Sequence, residues 1–292
     1  MTESWPGFAE KMVLGTAQFG MDYGIANVSG KLTKKEVFGI IDHAWGKGIR
    51  RFDTAPSYGS EALLGEFILA NGIQDEAIVL TKISSLDGAS DCQQRIRTSL
   101  ESSLKKLGCP IDVLFFHNPA DSNLLLKYPQ FFENLMHDYQ VSTLGVSVYE
   151  QQEVRQLSGC QFELAFQFPF NVLDRRFEQV SMPQGKRYAR SVFLQGLLVS
   201  QNSLRLDTPK ELLNLQKEYH DRLAKYHLDP VVNAISFVAN NDIVDYFLIG
   251  VDTTDQLRVI LSLQLNYQQS IKILDSLKLN IDKKWLDPRF WS

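Results

Sequence analysis

The amino-acid sequence predicts an α/β protein that folds as a single (β/α)8 TIM barrel. Short β-rich runs alternate with amphipathic helical runs along the chain, a pattern typical of parallel sheets built from βα units. A length of 292 residues fits one barrel of roughly 250 residues plus extensions. No Gly-, Pro- and Ser-rich linker divides the chain. We therefore expect one barrel domain over residues 1–292, with a C-terminal helical extension.

The first half of the chain carries four regular βα units. Thr33 and Glu36 have the spacing of a capping box, which predicts the start of the first long helix. Gly108 marks the end of the third helix, whose leucines recur at helical spacing. The predicted strands are residues 13–16, 49–53, 78–82 and 112–116. The helical faces lie at residues 37–44, 63–68, 96–107 and 124–136.

The second half is less regular but completes a set of eight strands. Its predicted strands are residues 143–148, 163–167, 191–194 and 246–249. Helices are predicted from about Pro209, within 231–239, after 252–254, and at 271–277 on the outside of the barrel.

Composition excludes several classes of protein. The net charge is −4, with 30 basic and 34 acidic residues spread along the chain, so we expect neither a nucleic-acid nor a membrane partner. Cys92, Cys109 and Cys160 are scattered, which favours a reducing compartment. The first ten residues lack the features of a signal peptide. We expect a soluble cytoplasmic protein without a metal site, because no HExxH or other ligand spacing occurs.

Four polar residues lie where catalytic groups of barrels are found. Asp53, Lys82 and His117 each follow or end a predicted strand, and Tyr58 lies in the loop after Asp53. Chemistry in such barrels takes place at the C-terminal ends of the strands. Taken singly, the four could be a turn cap, a turn tyrosine, a solvated lysine and a loop histidine. Together, at successive strand ends, they predict one proton-transfer site.

This set of residue types suits the reduction of a carbonyl group by hydride. Negative charge develops on the carbonyl oxygen, which needs a proton and electrostatic support. We expect the ammonium of Lys82 to lower the pKa of Tyr58, with Asp53 as the counter-charge of the lysine. His117 can hydrogen-bond the substrate oxygen.

Residues 53–65 read DTAPSYGSEALLG and resemble a specific motif of the aldo-keto reductase family. LGVS at 144–147, Gln167 with Asn171, FLQGLL at 193–198 and Gly250 are similar to further family motifs, so the resemblance covers about residues 12–265. It implies a barrel that binds NADP(H), or less often NAD(H), and a small-molecule carbonyl substrate, in a monomer or small homo-oligomer.

The resemblance also implies roles for individual residues. Tyr58 becomes the acid–base residue, assisted by Asp53, Lys82 and His117. Ser147 and Gln167 hold the nicotinamide carboxamide, and the backbone of 191–196 meets the pyrophosphate. The implied cofactor contacts are Thr16, Ala17, Asp53, Ser147, Gln167, Arg190, Ser191, Phe193, Gly196, Gly250, Asp252, Thr253 and Gln256. The implied substrate contacts are Phe19, Tyr58, His117 and Asn118.

Three positions depart from the family pattern. Val148 stands where Asn is common, and Arg190 stands where an aromatic residue often stacks on the nicotinamide. Asp252 would repel a 2′-phosphate, although Arg258 and helix N-terminal amides offset this. The family implies NADP(H), whereas these residues favour either weak discrimination between NADP(H) and NAD(H) or a preference for NAD(H).

The leading hypothesis is therefore an NAD(P)H-dependent reductase of an aldehyde or ketone, including sugar-like carbonyls. One alternative is a Schiff-base lyase or aldolase that uses Lys82 as the nucleophile. Another is a non-catalytic binding protein that keeps the barrel.

Overall fold

A computed structural model describes residues 7–27, 30–200, 204–263 and 281–291. Within them, eight parallel strands hydrogen-bond in chain order and close into a barrel. The strands are β1 (Met12–Gly15), β2 (Arg51–Asp53), β3 (Ile78–Ile83), β4 (Val113–Phe116), β5 (Thr143–Ser147), β6 (Ala165–Pro169), β7 (Arg187–Arg190) and β8 (Tyr246–Ile249). β1 pairs with both β2 and β8, which closes the ring. The predicted (β/α)8 fold is confirmed.

Helices surround this barrel. They are α1 (Phe8–Lys11), α2 (Ala17–Gly20), α3 (Lys34–Gly46), α4 (Glu61–Asn71), α5 (Cys92–Leu107), α6 (Leu124–Lys127), α7 (Pro129–Tyr139), α8 (Gln151–Arg155), α9 (Lys210–Ala224), α10 (Pro230–Ala239) and α11 (Thr254–Ser262). Short 3-10 turns lie at Pro56–Tyr58, Pro119–Asn123, Arg176–Gln179, Lys283–Trp285 and Pro288–Phe290. The helix predicted at 271–277 lies outside the described residues. No helix in the part of the chain described here is long and apolar enough to cross a membrane.

Local sequence signals account for the ends of the long helices. Thr33 and Glu36 form the predicted capping box at the start of α3, each side chain accepting from the other residue's backbone N–H. α5 ends at Gly108, which adopts the left-handed conformation with φ of 65°. The predicted helix at 124–136 is instead two helices, because Pro129 disfavours helical geometry at Tyr128.

The strands separate two apolar layers. A small inner layer fills the barrel with Val13, Leu80, Val113, Phe115, Ala165 and Tyr188. A much larger outer layer lies between the strands and the helices. Side chains two residues further along a strand from the inner layer have the same orientation. They therefore point into the C-terminal mouth of the barrel.

Two strands differ from their predicted positions. β6 lies two residues later than expected and ends at Pro169. β7 is Arg187–Arg190, so the strand predicted at 191–194 is wrong. Arg187 is held in the sheet by Asp245, whose carboxylate accepts from its backbone N–H at 2.8 Å and from its guanidinium at 3.0 and 3.1 Å. Ser191 has a φ of 59°, which ends the extended backbone.

Candidate active site

Polar side chains converge at the C-terminal mouth of the barrel. They are Asp53 at the end of β2, Lys82 near the end of β3, His117 just after β4, Ser147 at the end of β5, Gln167 in β6 and Arg190 at the end of β7. Lys82, His117, Gln167 and Arg190 each lie two residues beyond an inner-layer residue of the same strand. The strand register therefore brings these strand-end residues to one rim, as the sequence predicted.

A buried ion pair forms the floor of this mouth. Lys82 Nζ donates to both carboxylate oxygens of Asp53, at 2.9 and 2.8 Å, and to the carbonyl of Thr54 at 2.9 Å. Gln167 Nε2 donates to Asp53 Oδ1 at 2.8 Å. Lys82 and Asp53 are only 1% and 3% exposed. Burial lowers the pKa of Lys82, and the Asp53 carboxylate opposes that shift.

Tyr58 and His117 lie directly above the ion pair. Tyr58 ends the 3-10 turn Pro56–Tyr58, and Gly59 follows in the left-handed conformation with φ of 71°. Lys82 Nζ is 4.8 Å from the centre of the Tyr58 ring. The His117 imidazole meets the same ring edge-on, with the ring centres 6.0 Å apart. The structure thus brings all four predicted residues together.

The protonation of these groups differs in one respect from the prediction. Burial, and then the Asp53 carboxylate, raise the pKa of Tyr58 above its ordinary value. The predicted net lowering of this pKa is not found, because burial and the Asp53 carboxylate outweigh the effect of nearby positive charge. Burial, with Lys82 and Arg190 nearby, lowers the pKa of His117 to about 4. At neutral pH, Tyr58 keeps its proton and His117 is uncharged.

A chain of buried hydroxyl groups holds the Tyr58 turn. Ser60 Oγ shares hydrogen bonds with Thr16 Oγ1 at 2.8 Å and with Thr54 Oγ1 at 2.9 Å. Thr16 Oγ1 also donates to the carbonyl of Asp53 at 3.0 Å. These contacts tie the loops after β1 and β2 together and orient the backbone on either side of Tyr58.

We expect Gly20→Ala to disturb this turn. A β-carbon at residue 20 would lie 2.6 Å from the carbonyl carbon of Gly59 and would clash with the carbonyl oxygen of Tyr58. Overpacking of this kind costs about 1–3 kcal/mol. Urea unfolding should therefore show a lower free energy of unfolding. Gly46→Ala, where a β-carbon meets no atom within 4 Å, is the matched control. Equal midpoints for Gly20→Ala and Gly46→Ala would contradict the expected clash.

The segment after β7 has an unusual backbone. Ser191, Leu194 and Gln195 all have positive φ, at 59°, 47° and 54°, followed by Gly196 at 88°. Asn171 Nδ2 donates to the carbonyl of Ser191 at 3.0 Å and fixes the start of the turn. Such successive turns direct backbone N–H groups to one side, which is how proteins form anion-binding concavities.

A second group of predicted cofactor residues lies after β8. Thr253 caps α11 by accepting from the backbone N–H of Gln256 at 3.1 Å, and Gln256 Oε1 accepts from the N–H of Asp252 at 2.7 Å. Asp252 Oδ1 is buried and has no hydrogen-bond partner among the described residues. Burial, and then the nearby Asp22 carboxylate, raise the pKa of Asp252. The Gln18 amide covers Gly250.

Two predicted substrate residues have other roles in the structure. Phe19 is fully buried and packs in the outer apolar layer, so its contact with a substrate stays a prediction. Asn118 caps the turn Pro119–Asn123 by accepting from the N–H of Ala120 at 3.2 Å. Among the predicted cofactor contacts, Ala17 is buried and Phe193 is half-buried.

One part of the site was missed from the sequence. Two guanidinium groups pack against the Tyr149 ring: Arg190 Cζ lies 4.0 Å and Arg289 Cζ lies 3.4 Å from the ring centre. Arg289 comes from the C-terminal segment 281–291, and no short-range pattern links it to β5 or β7. Across the ranges that the structure describes, no group of His, Cys, Asp and Glu side chains is arranged to hold a metal ion.

Comparison with known proteins agrees with this geometry. The profile of the Aldo/keto reductase family matches residues 11–278. The chain belongs to this family. It is 28% identical over 253 residues to a D-threo-aldose 1-dehydrogenase from Pseudomonas sp, covering 72% of this chain and 76% of that one. It is 29% identical over 148 residues to aflatoxin B1 aldehyde reductase member 2 from Rattus norvegicus, covering 47% and 40%.

A solved structure of the family has the same fold. A glycerol dehydrogenase from Gluconobacter oxydans superposes with a TM-score of 0.70 over 93% of this chain and 94% of its own, at 22% identity. Membership in the family identifies the chain as an oxidoreductase, and aldo-keto reductases generally use nicotinamide cofactors.

Proposed function

We propose that this oxidoreductase reduces an aldehyde or ketone to an alcohol, with Tyr58 as the proton donor and a reduced nicotinamide cofactor as the hydride source. The observation that carries the proposal is the buried Asp53–Lys82 pair lying against Tyr58, with His117 in edge-on contact with the same ring. Each of the four groups has a distinct task in moving one proton to a carbonyl oxygen.

The residues present fit a nicotinamide cofactor at the barrel mouth. Ser147 and Gln167 lie side by side on β5 and β6, with Ser147 Oγ 3.5 Å from Gln167 Oε1, and would hold the carboxamide. The turn at 191–196 would meet the pyrophosphate. The buried, unpartnered Oδ1 of Asp252 needs a donor, which a ribose hydroxyl would supply. A reduced nicotinamide bound there supplies the hydride.

The protonation states support a reduction. Because burial raises the pKa of Tyr58, its hydroxyl carries a proton at neutral pH and can donate it. The neutral His117 imidazole donates one N–H hydrogen bond and can orient the carbonyl oxygen. Once Tyr58 has given up its proton, the ammonium of Lys82 stabilises the charge left on the phenolic oxygen. Asp53 holds that ammonium in place through two hydrogen bonds.

The test is consumption of reduced cofactor with a panel of aldehydes, ketones and aldoses. The names of the relatives, an aldose dehydrogenase and an aldehyde reductase, direct the panel to sugar-like carbonyls first. We expect cofactor oxidation that depends on a carbonyl compound and yields the matching alcohol. Absence of turnover across the panel with both cofactors, in folded protein, would count against the proposal.

We expect Asp252→Ser to shift the cofactor preference towards NADPH. The Asp252 carboxylate, close to that of Asp22, would repel a 2′-phosphate, and serine removes this charge. The ratio of kcat/KM for NADPH over NADH should rise about tenfold, which corresponds to ~1.4 kcal/mol. Asp221→Ser is the control, since Asp221 is an exposed residue of α9 that pairs with Lys217. An unchanged ratio in Asp252→Ser would refute the repulsion.

One observation favours a second function. Burial lowers the pKa of Lys82, which is the direction that a Schiff-base lysine needs. Against it, Nζ already makes three hydrogen bonds to Asp53 and Thr54. Borohydride treatment in the presence of a carbonyl substrate distinguishes the two. A covalent adduct on Lys82 would support the lyase, and an unmodified lysine is expected for the reductase.

A further inference from the structure

We propose that the substrate carries a carboxylate and that Arg190 binds it. This inference rests on the proposed carbonyl reduction and adds the chemical class of its substrate. The guanidinium of Arg190 is a charged donor in the catalytic mouth that forms no ion pair within 4.0 Å among the described residues, and its Nε has no hydrogen-bond partner there.

The position of Arg190 follows from the strand register. Arg190 is the last residue of β7, and Tyr188, two residues earlier, belongs to the inner layer of the barrel. Both side chains therefore point inwards, and Arg190 lies above Tyr188 in the mouth. Its charge lowers the pKa of both Tyr58 and His117, so it lies on the same side of the barrel as the proton-transfer groups.

The contacts of Arg190 fix its orientation without neutralising it. Its Nη2 donates to the carbonyl of Val148 at 3.0 Å, and Nη1 lies 3.5 Å from Ser191 Oγ. One face of the guanidinium stacks on Tyr149 at 4.0 Å. Nε is buried and has no partner within the described ranges. A buried donor left without an acceptor is costly, so this N–H is available for a ligand.

The carboxylates around Arg190 form their ion pairs with other cations. Asp174 and Asp287 are within range of its charge, but Asp174 binds Arg176 through Oδ1 at 2.8 Å, and its Oδ2 makes no hydrogen bond within the described residues. Asp287 accepts from Arg289 Nε at 2.9 and 3.0 Å. Asp53 is held by Lys82. No carboxylate of the described residues lies within 4.0 Å of Arg190 as an ion-pair partner, so the guanidinium has no direct counter-ion in the mouth.

An anionic substrate would complete this arrangement. Arginine binds carboxylates through parallel N–H···O bonds and keeps its charge in partly buried sites. A carbonyl group held at Tyr58 and His117 leaves Arg190 to bind a carboxylate a few atoms away in the same molecule. The class of substrate is therefore a small oxo acid, such as an aldehyde acid or the open-chain form of a sugar acid.

Matched pairs of substrates test the proposal. Succinate semialdehyde and its methyl ester differ by one charge, as do D-glucuronate and D-glucose. The wild-type protein should prefer the acid of each pair by a factor on the order of 10 to 100 in kcat/KM, as expected for a hydrogen-bonded charge. Arg190→Gln should bring the ratio close to one, and Arg190→Lys should restore part of it. Arg155→Gln removes an exposed arginine of α8 and should keep the wild-type ratio.

A second readout needs no turnover. Succinate, which has no reducible carbonyl, should raise the Tm of the wild-type protein but not that of Arg190→Gln. A wild-type acid preference near one, or a preference that survives in Arg190→Gln, would overturn the proposal. So would a loss of NADH and NADPH affinity in Arg190→Gln with an unchanged acid preference, which would assign Arg190 to the cofactor. If no carbonyl of either kind is reduced, the proposed function fails, and the succinate measurement still decides whether Arg190 binds carboxylates.

Discussion

Replacing Tyr58 with phenylalanine is expected to lower kcat/KM for carbonyl reduction by about a hundred- to ten-thousand-fold, the usual contribution of a general acid. The substitution removes one oxygen and keeps the ring. In the wild-type structure Lys82 Nζ lies 4.8 Å from the centre of the Tyr58 ring, and His117 contacts that ring edge-on. The phenylalanine ring would keep both contacts. The affinity for reduced cofactor should therefore stay close to that of the wild-type protein.

Steady-state kinetics and a cofactor titration on the same preparation test this expectation. Tyr226→Phe, which removes the hydroxyl of a half-exposed tyrosine beyond α9, should have wild-type activity. Near wild-type turnover in Tyr58→Phe would show that another group donates the proton. A parallel loss of cofactor affinity would show that the hydroxyl binds rather than reacts.

The Asp53–Lys82 pair should give the largest effect on stability. Asp53→Asn leaves the Lys82 ammonium buried without its carboxylate, and breaking a buried pair in this way costs about 3–5 kcal/mol. Lys82→Met should cost a similar amount, because among the described residues it leaves the Asp53 carboxylate with the Gln167 amide as its one side-chain donor. Activity should also be lost in both variants, since the charge beside Tyr58 is removed or misplaced.

A double variant separates the two roles of the pair. Asp53→Asn combined with Lys82→Met leaves no uncompensated charge, so most of the lost free energy of unfolding should return while activity stays absent. Lys217→Met breaks the exposed Lys217–Asp221 pair and should cost less than about 1 kcal/mol. Chemical denaturation of the four variants makes the comparison. A double variant no more stable than the singles, or one that regains activity, would contradict this account.

The barrel was predictable because its local signals agree with one another. The capping box at Thr33, the glycine after α5 and the apolar runs before Asp53, Lys82 and His117 are each readable within a few residues. Since strand ends of a parallel barrel meet at one rim, the convergence of those three residues followed from the fold class alone. The buried ion pair and the position of Tyr58 were thus expected from the sequence.

The features that were not predicted depend on long-range contacts. Residues 191–194 read as an apolar strand, yet Leu194 adopts a φ of 47°, which no propensity of leucine favours. The true strand has arginine at both ends, and Arg187 is stable there because Asp245 binds it. The Tyr58 pKa was mispredicted because burial depends on the whole fold.

The contacts of Tyr149 with two arginines were also not predicted, because they too are long-range contacts. Arg190 and Arg289 belong to β7 and to the C-terminal segment, and both reach a residue that follows β5. The periodicities that identify strands and helices in a sequence carry no information on contacts between such distant residues. That Arg190 has no direct ion-pair partner among the described residues is likewise a property of the folded protein.

The central claim is that this barrel mouth binds a nicotinamide cofactor for hydride transfer, and a fluorescence titration of the purified protein with NADPH and with NADH tests it most directly. Saturable binding of at least one, with a Kd on the order of micromolar, is the expected result. The preferred cofactor also reports the effect of Asp252. The account would be contradicted if the protein shows a folded circular dichroism spectrum but no saturable binding of either cofactor. That result would favour the lyase or the non-catalytic binding protein.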